Sequence, residues 1–307
     1  MKKTFLFLAA VLLLLCLSTY IFIPKTLVVT SSVVIGTSEA GTERFVLDTA
    51  RWHSWWNDPQ NHAFVSGSDS FRLTERLYKS AKINVTHDKR VLKTDMVVIP
   101  LSLDSTGIEW KFNETASLNP FTRFVQYREA LKLKQNLDTV LGRLRQFLSS
   151  YVNVYGIPIT RTSINDTAYA AARTVLRTQP RTPDIYALIK KVQSYISQHR
   201  RKQTGSPIYN VTKMEDNAYQ LMVAVPVDTL LQGNTEFLAR RMVRGAFMVT
   251  EVTGGEASVD KASKALQQFF TDFRRTSMAM DFAMLITDRM YQPDTSKWIT
   301  RLYKPVY

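Results

Sequence analysis

Residues capable of chemistry are few in this chain, and they are scattered. Four histidines, His53, His62, His87 and His199, show neither the His-Glu-x-x-His spacing of a zinc-binding helix nor any other paired metal-ligand interval. The single cysteine, Cys16, lies inside an apolar run, so the remainder has no thiol for a disulfide, a nucleophile or a metal. No Gly-x-Ser-x-Gly elbow, phosphate loop or dinucleotide fingerprint occurs. The sequence therefore calls for no metal, no cofactor and no nucleophilic catalysis. What remains is one charged pair, Asp288-Arg289, with Tyr291 and Trp298 close behind it. Such a pair either bolts a terminal strand in place through a salt bridge or turn contact, or offers a polar hook to a ligand.

The elements that must position these residues begin with a membrane question. Lys2-Lys3 precede an almost unbroken apolar run from Phe5 to Ile23 that ends at Pro24-Lys25. A run of about 20 apolar residues matches a bilayer core of about 30 Å, so residues 1–25 are expected to form a transmembrane anchor, with a cleaved signal or lipidation of Cys16 as alternatives. The positive-inside rule then places the rest of the chain on the extracytoplasmic, periplasmic side. At 307 residues the chain is long enough for two domains, expected at 26–150 and 151–307. Lys and Arg number 40 against 26 Asp and Glu, a formal charge of +14. The densest basic spots, His199 to Lys202, Arg240-Arg241 and Arg274-Arg275, are short runs of the kind found at solvated helix ends, with no interleaved basic-aromatic stripe for nucleic acid. Sequons at Asn84, Asn113, Asn165 and Asn210 carry meaning only in a eukaryotic secretory pathway.

Within 26–150, a β-branched run from Leu27 to Ile35 reads as a strand, and Thr37-Ser38 caps a short helix over 39–51. Trp52, Trp55 and Trp56 follow, just before Asp58-Pro59. Each indole must bury a large ring and find a partner for its N–H, so the cluster either closes one end of a core or lines an apolar cavity. Strand-like segments at 70–78, 82–86, 91–101, 107–113 and 121–131 come next, separated by turn signals at His87-Asp88-Lys89, Asp104 to Gly107 and Asn119-Pro120. A helix follows, with Leu137, Val140, Leu141, Leu144, Phe147 and Leu148 on one face. This order, with its tryptophan motif, resembles the START-like (SRPBCC, polyketide cyclase-like) helix-grip fold. The resemblance implies a sheet wrapped around the long helix, an apolar cavity between them, and Trp52, Trp55, Trp56 and Trp110 as candidate lining residues.

In 151–307 a first strand is expected over 155–163. Thr182-Pro183-Asp184 starts a helix with Ile185, Leu188, Ile189, Val192 and Ile196 as its stripe, and strands follow at 207–210 and 219–227. The pattern then recurs: strand material over 237–250, a turn at Gly254-Gly255, a second amphipathic helix with Ala262, Leu266, Phe269 and Phe270, and strands at 282–287 and at the C-terminus. Pro207-Ile208-Tyr209, Val225-Pro226-Val227, Val252 to Gly255, Pro293-Asp294-Thr295 and the Tyr303-x-Pro305-Val306 ending resemble the GyrI-like effector-binding family, found also in AraC-type and MerR-type regulators. Members bind small molecules, and many carry a glutamate two residues before an aromatic on the penultimate strand. In this chain those two positions hold Ala283 and Leu285, so the acid that meets cations or assists hydrolysis in the family is missing. Candidate ligand contacts are Tyr209, Phe247, Asp288, Arg289, Tyr291 and Trp298.

The expected architecture is thus α+β: an N-terminal transmembrane helix, a helix-grip START-like domain and a duplicated strand-helix-strand-strand GyrI-like domain. The expected function is a membrane-anchored, non-catalytic protein binding a small apolar or amphipathic ligand, with the membrane and that ligand as its partners. A hydrolase or cyclase with an unrecognised Tyr/Asp/Arg site is one alternative, and it requires a cavity holding a carboxylate or tyrosine of perturbed pKa. A regulatory protein acting on a DNA-associated partner is the other. Oligomeric state is not written in the sequence.

Overall fold

A computed structural model describes residues 2–56, 64–87, 90–164, 167–242, 244–277 and 279–306. Asp58-Pro59, His62, Asp88-Lys89, Asn165 and Tyr307 lie outside the described residues. The chain divides into two compact units, Met1–Ser150 and Tyr151–Tyr307.

The first unit runs through α1 (Lys2–Phe22), β1 (Thr26–Ile35), α2 (Glu39–Val46), α3 (Thr49–Trp52), β2 (Phe64–Ser66), β3 (Asp69–Leu77), β4 (Ser80–His87), β5 (Arg90–Pro100), β6 (Thr106–Thr115) and α4 (Pro120–Leu148). Its six strands form one antiparallel sheet ordered β1-β6-β5-β4-β3-β2. α4 touches β1 at one edge of this sheet and β2 at the other, so the sheet curls around the helix. Leu133, Leu137, Val140, Leu141, Leu144 and Leu148 fall at helical spacing and are all buried, which sets the face that α4 turns inward. Polar bonds fix its rotation. Buried Asp69 accepts from Asn136 Nδ2 of α4 at 2.7 Å and shares a second hydrogen bond with His87 Nδ1 of β4, while Asp138 accepts from Ser31 of β1.

Three expectations need correction here. The transmembrane helix is not supported: among the described residues no helix is long and apolar enough to cross a membrane. α1 instead ends in contacts with its own unit. Buried Arg123 of α4 donates from Nε to the Ile23 carbonyl at 3.1 Å, and its guanidinium lies 5.0 Å over the Tyr20 ring. The strand expected over 121–131 is the first part of α4, because Asn119 accepts from the Phe121 and Thr122 N–H groups and Pro120 occupies the first turn. The single helix over 39–51 is two, because Asp48 caps a second one through the Ala50 N–H.

The second unit runs through α5 (Tyr151–Tyr155), β7 (Thr160–Ile164), β8 (Ala168–Leu176), α6 (Thr182–Gln198), β9 (Ile208–Lys213), β10 (Tyr219–Val227), β11 (Phe237–Arg241), β12 (Gly245–Thr253), α7 (Glu256–Asp272), β13 (Phe282–Leu285) and β14 (Ile299–Val306). Its antiparallel sheet is ordered β11-β8-β10-β9-β13-β14-β12-β7. Two equivalent halves are visible in that order. β8-α6-β9-β10 pairs as β8-β10-β9, and β12-α7-β13-β14 pairs as β12-β14-β13. The halves meet at β9 and β13 through only two residue pairs, Ala283 with Tyr209 and Met284 with Ile208.

Helix α6 packs on β8 and β10, and α7 on β12, so each half carries its own helix. Alanines at 170, 171 and 172 are fully buried in β8, and this run of small residues hides the strand from a reading based on bulky β-formers. The residues expected to open this unit as one strand, 155–163, are split between the end of α5 and the start of β7. Between β12 and α7 the chain turns at Gly254, whose φ of +128° is open only to glycine, and whose Cβ would meet Ser258 Oγ at 2.5 Å.

Candidate ligand-binding cleft

The short seam between β9 and β13 is where the second unit opens. α6 and α7 each cover their own half, and a cleft of about 1100 Å³ lies along the seam, with the loop before α6 on one side and α7 on the other. Tyr209 and Val211 of β9, Ala283 of β13 and Leu302 of β14 contribute its apolar surface. Its α7 wall is polar. Glu256, Asp260, Ser263, Gln267 and Thr271 lie along one side of the helix at intervals of three and four residues, while Ala262, Leu266, Phe269 and Phe270 are buried. Only the apolar stripe of α7 entered the sequence reading, although the polar stripe was written in the same residues. The first residues of the two helices touch, since the Thr182 N–H and hydroxyl both reach Glu256 Oε1 at 2.8 Å.

Arg289 is the deepest charge in the cleft, with 6% of its surface exposed. Its side chain is fixed from three directions. Nη1 donates to Thr182 Oγ1 at 3.0 Å, Nη2 donates to Thr300 Oγ1 at 2.9 Å, and the guanidinium lies 4.6 Å from the centre of the Trp298 ring. Its backbone N–H donates to the Tyr186 hydroxyl at 2.8 Å. Among the described residues no carboxylate pairs with this guanidinium, and its Nε–H is buried without a hydrogen-bond partner. A buried donor left in this state costs about 1–3 kcal/mol, so it marks a place where an acceptor belongs.

The Tyr209 hydroxyl is close enough to Arg289 to feel it. Burial pushes the Tyr209 phenol up and the adjacent guanidinium pulls it part of the way back, so at neutral pH the group is an O–H donor. Ala283, the cross-strand partner of Tyr209, is buried and leaves the floor between them without an acid. Burial likewise raises the Tyr186 phenol, opposed by the Arg289 N–H that it accepts.

The residues nominated from the sequence fall into four groups. Tyr209 and Arg289 line the cleft, and Trp298 supports Arg289 from behind while its own indole N–H donates to the Gln292 carbonyl at 2.7 Å. Asp288 and exposed Tyr291 line a different cavity of about 500 Å³ beside Tyr186 and Pro207, so neighbours in sequence serve different spaces. Phe247 is buried in a cluster with Val249 and Tyr303 and does not line the cleft.

The four tryptophans of the first unit form the fourth group. Trp52, Trp55, Trp56 and Trp110 are all buried. Their indole N–H groups donate to the carbonyls of Val46, Phe45 and Val65 and to Thr94 Oγ1 respectively. Trp52 stacks on Trp56 at 5.5 Å, Trp56 meets Phe71 at 5.0 Å, and Phe71 meets Trp110 at 5.6 Å. These rings fill the core of the unit, which accounts for every one of their donors.

No family model matches the chain, and no curated protein matches its sequence. Solved structures with a similar course of chain include the EcmrR C-terminal domain, at 13% identity and a TM-score of 0.43 over 49% of this chain and 98% of that one. Another is SAV2435 bound to tetraphenylphosphonium, at 11% identity and a TM-score of 0.34 over 49% of this chain and 94% of that one. A START superfamily protein from Mycobacterium smegmatis is similar at 16% identity and a TM-score of 0.28, over 39% of this chain and 97% of that one.

Proposed function

We propose that the second unit is a binding module for a small amphipathic molecule, held in the cleft at the β9–β13 seam. The observation that carries this reading is the coincidence of a cleft of about 1100 Å³ with a buried, partly unsatisfied Arg289 at its floor. Small-molecule sites typically enclose about 300–1,000 Å³ and combine apolar surface with a few convergent polar groups. Tyr209, Val211, Ala283 and Leu302 supply the first, and Arg289 with the polar stripe of α7 supplies the second. The duplicated halves resemble the GyrI-like effector-binding arrangement, whose members hold small molecules, and this adds weight by analogy.

Binding is favoured over hydrolysis or cyclisation by the chemistry of the floor. A general base needs a group that loses its proton near neutral pH, but Tyr209 is pushed the other way and Ala283 has no proton to exchange. The reading is tested by a thermal-shift screen of a small-molecule library against the whole chain and its Ala283→Trp variant. A ligand at 100 times its Kd adds about 2.7 kcal/mol, which raises the Tm of a unit of this size by roughly 5–10 °C. Stabilisation by library members that disappears when tryptophan fills the floor supports the module. A library that stabilises neither protein, or both equally, rules the cleft out.

A further inference from the structure

Resting on the cleft as a ligand site, we propose that its occupant carries a monoanionic head group, a carboxylate, that accepts from the Arg289 guanidinium and from the Tyr209 hydroxyl, with an apolar body lying over Ala283 and Leu302. Three independent observations converge on this chemistry. The first is the buried Arg289 guanidinium, whose Nη1 and Nη2 each give one N–H to the Thr182 and Thr300 hydroxyls while Nε–H has no acceptor among the described residues. The second is the Tyr209 hydroxyl beside it, protonated at neutral pH and so able to donate. The third is the buried Ala283, which stands directly across from Tyr209 and puts no acid at that position of the floor. A cation placed there would sit against the Arg289 guanidinium, and like charges at close range in a partly desolvated site repel strongly.

The single negative charge follows from the balance of the whole lining. Five cations, Arg181, Lys213, Lys264, Lys304 and Arg289, stand against four acids, Asp184, Glu256, Asp260 and Asp281, which leaves one positive charge in excess. A carboxylate matches that excess, and a doubly charged phosphate exceeds it. A carboxylate also has two oxygens, so it can take a guanidinium N–H and the Tyr209 O–H together.

The test uses three matched probes that share a body and differ in head group: 4-phenylbutyrate, 4-phenylbutanol and 4-phenylbutylamine. Calorimetric titration into the whole chain is expected to give affinities in the order carboxylate, alcohol, amine. Tyr209→Phe is expected to weaken the carboxylate about 10-fold and leave the alcohol within about threefold, and Arg289→Met to weaken the carboxylate about 100-fold, as befits charge-assisted hydrogen bonds. Tyr209→Phe removes one oxygen atom only, so it remains informative if the Arg289 variant folds poorly. Equal affinity for the three probes, tighter binding of the amine, or a carboxylate affinity unchanged in Tyr209→Phe overturns the proposal. If the alcohol or amine binds and Ala283→Trp abolishes that binding, the anion preference fails while the cleft keeps its role. If no probe and no library member binds, both fail.

Discussion

Replacing Arg289 with methionine deletes a buried cation and keeps most of its volume. Two hydrogen bonds from the guanidinium, to Thr182 and Thr300, are lost, and each charge-assisted bond contributes about 1.5–3 kcal/mol. The cation–π contact with Trp298 adds about 0.5–2 kcal/mol. Thr300 is fully buried, so its hydroxyl loses a partner, whereas the Thr182 hydroxyl still reaches Glu256. Against this, methionine removes the desolvation penalty of an ion without a carboxylate partner, several kcal/mol, and the unsatisfied Nε–H, about 1–3 kcal/mol. The opposing sets nearly cancel, and the expected loss is about 1–2 kcal/mol. Hydrogen-exchange mass spectrometry of peptides from α6 and β14 reads this locally, as an opening free energy lowered by that amount. A loss above about 4 kcal/mol is the signature of a broken buried ion pair and would refute the unpaired state assigned to Arg289.

Three further outcomes are expected. Asn136→Ala removes the 2.7 Å bond to buried Asp69 and should cost about 1–3 kcal/mol, read as an earlier urea midpoint in tryptophan fluorescence, since four of the five tryptophans lie in the first unit. Arg123→Ala frees the Ile23 carbonyl and the Tyr20 ring, and hydrogen exchange over residues 15–23 should accelerate while β1 stays protected; unchanged exchange there would mean that Arg123 does not hold α1. Burial raises the phenols of Tyr169, Tyr186 and Tyr209, so each favours the folded state fully below the unfolded value of about 10 and loses that contribution as pH rises towards the folded value. Stability should therefore fall above about pH 10, less steeply in Tyr209→Phe, and an identical slope in wild type and variant would contradict the burial of that phenol.

How much was legible depended on whether sequence pattern and tertiary context agreed. They agree in α6, where Thr182-Pro183-Asp184 starts the helix and Ile185, Leu188, Ile189, Val192 and Ile196 are all buried. They disagree at the start of α4. Phe121, Phe124, Val125 and Leu131 are large apolar residues left exposed on a helix, and their density imitates a strand unless the Asn119-Pro120 cap is given precedence. The length of the apolar run at the N-terminus matches a membrane span, but length does not reveal that Arg123, a hundred residues away, holds its end.

At the site, Arg289 and Tyr209 were legible as polar and aromatic residues near turns, and Ala283 as a missing acid. The thing that joins them, the two-pair seam between β9 and β13, is long-range pairing that no local pattern encodes. Phe247 lies away from the cleft for a similar reason: alternation along β12 shows that neighbours point oppositely, but only the fold shows which direction the cleft lies in.

The most direct measurement is a hydrogen-exchange footprint of the whole chain saturated with a ligand that stabilises it. Ligand in the cleft predicts added protection in the loop before α6, the first turns of α7, β9 and β13, with the tryptophan-filled core of residues 26–150 unchanged. Protection confined to residues 26–150, with the β9–β13 seam exchanging as in the free protein, would contradict it.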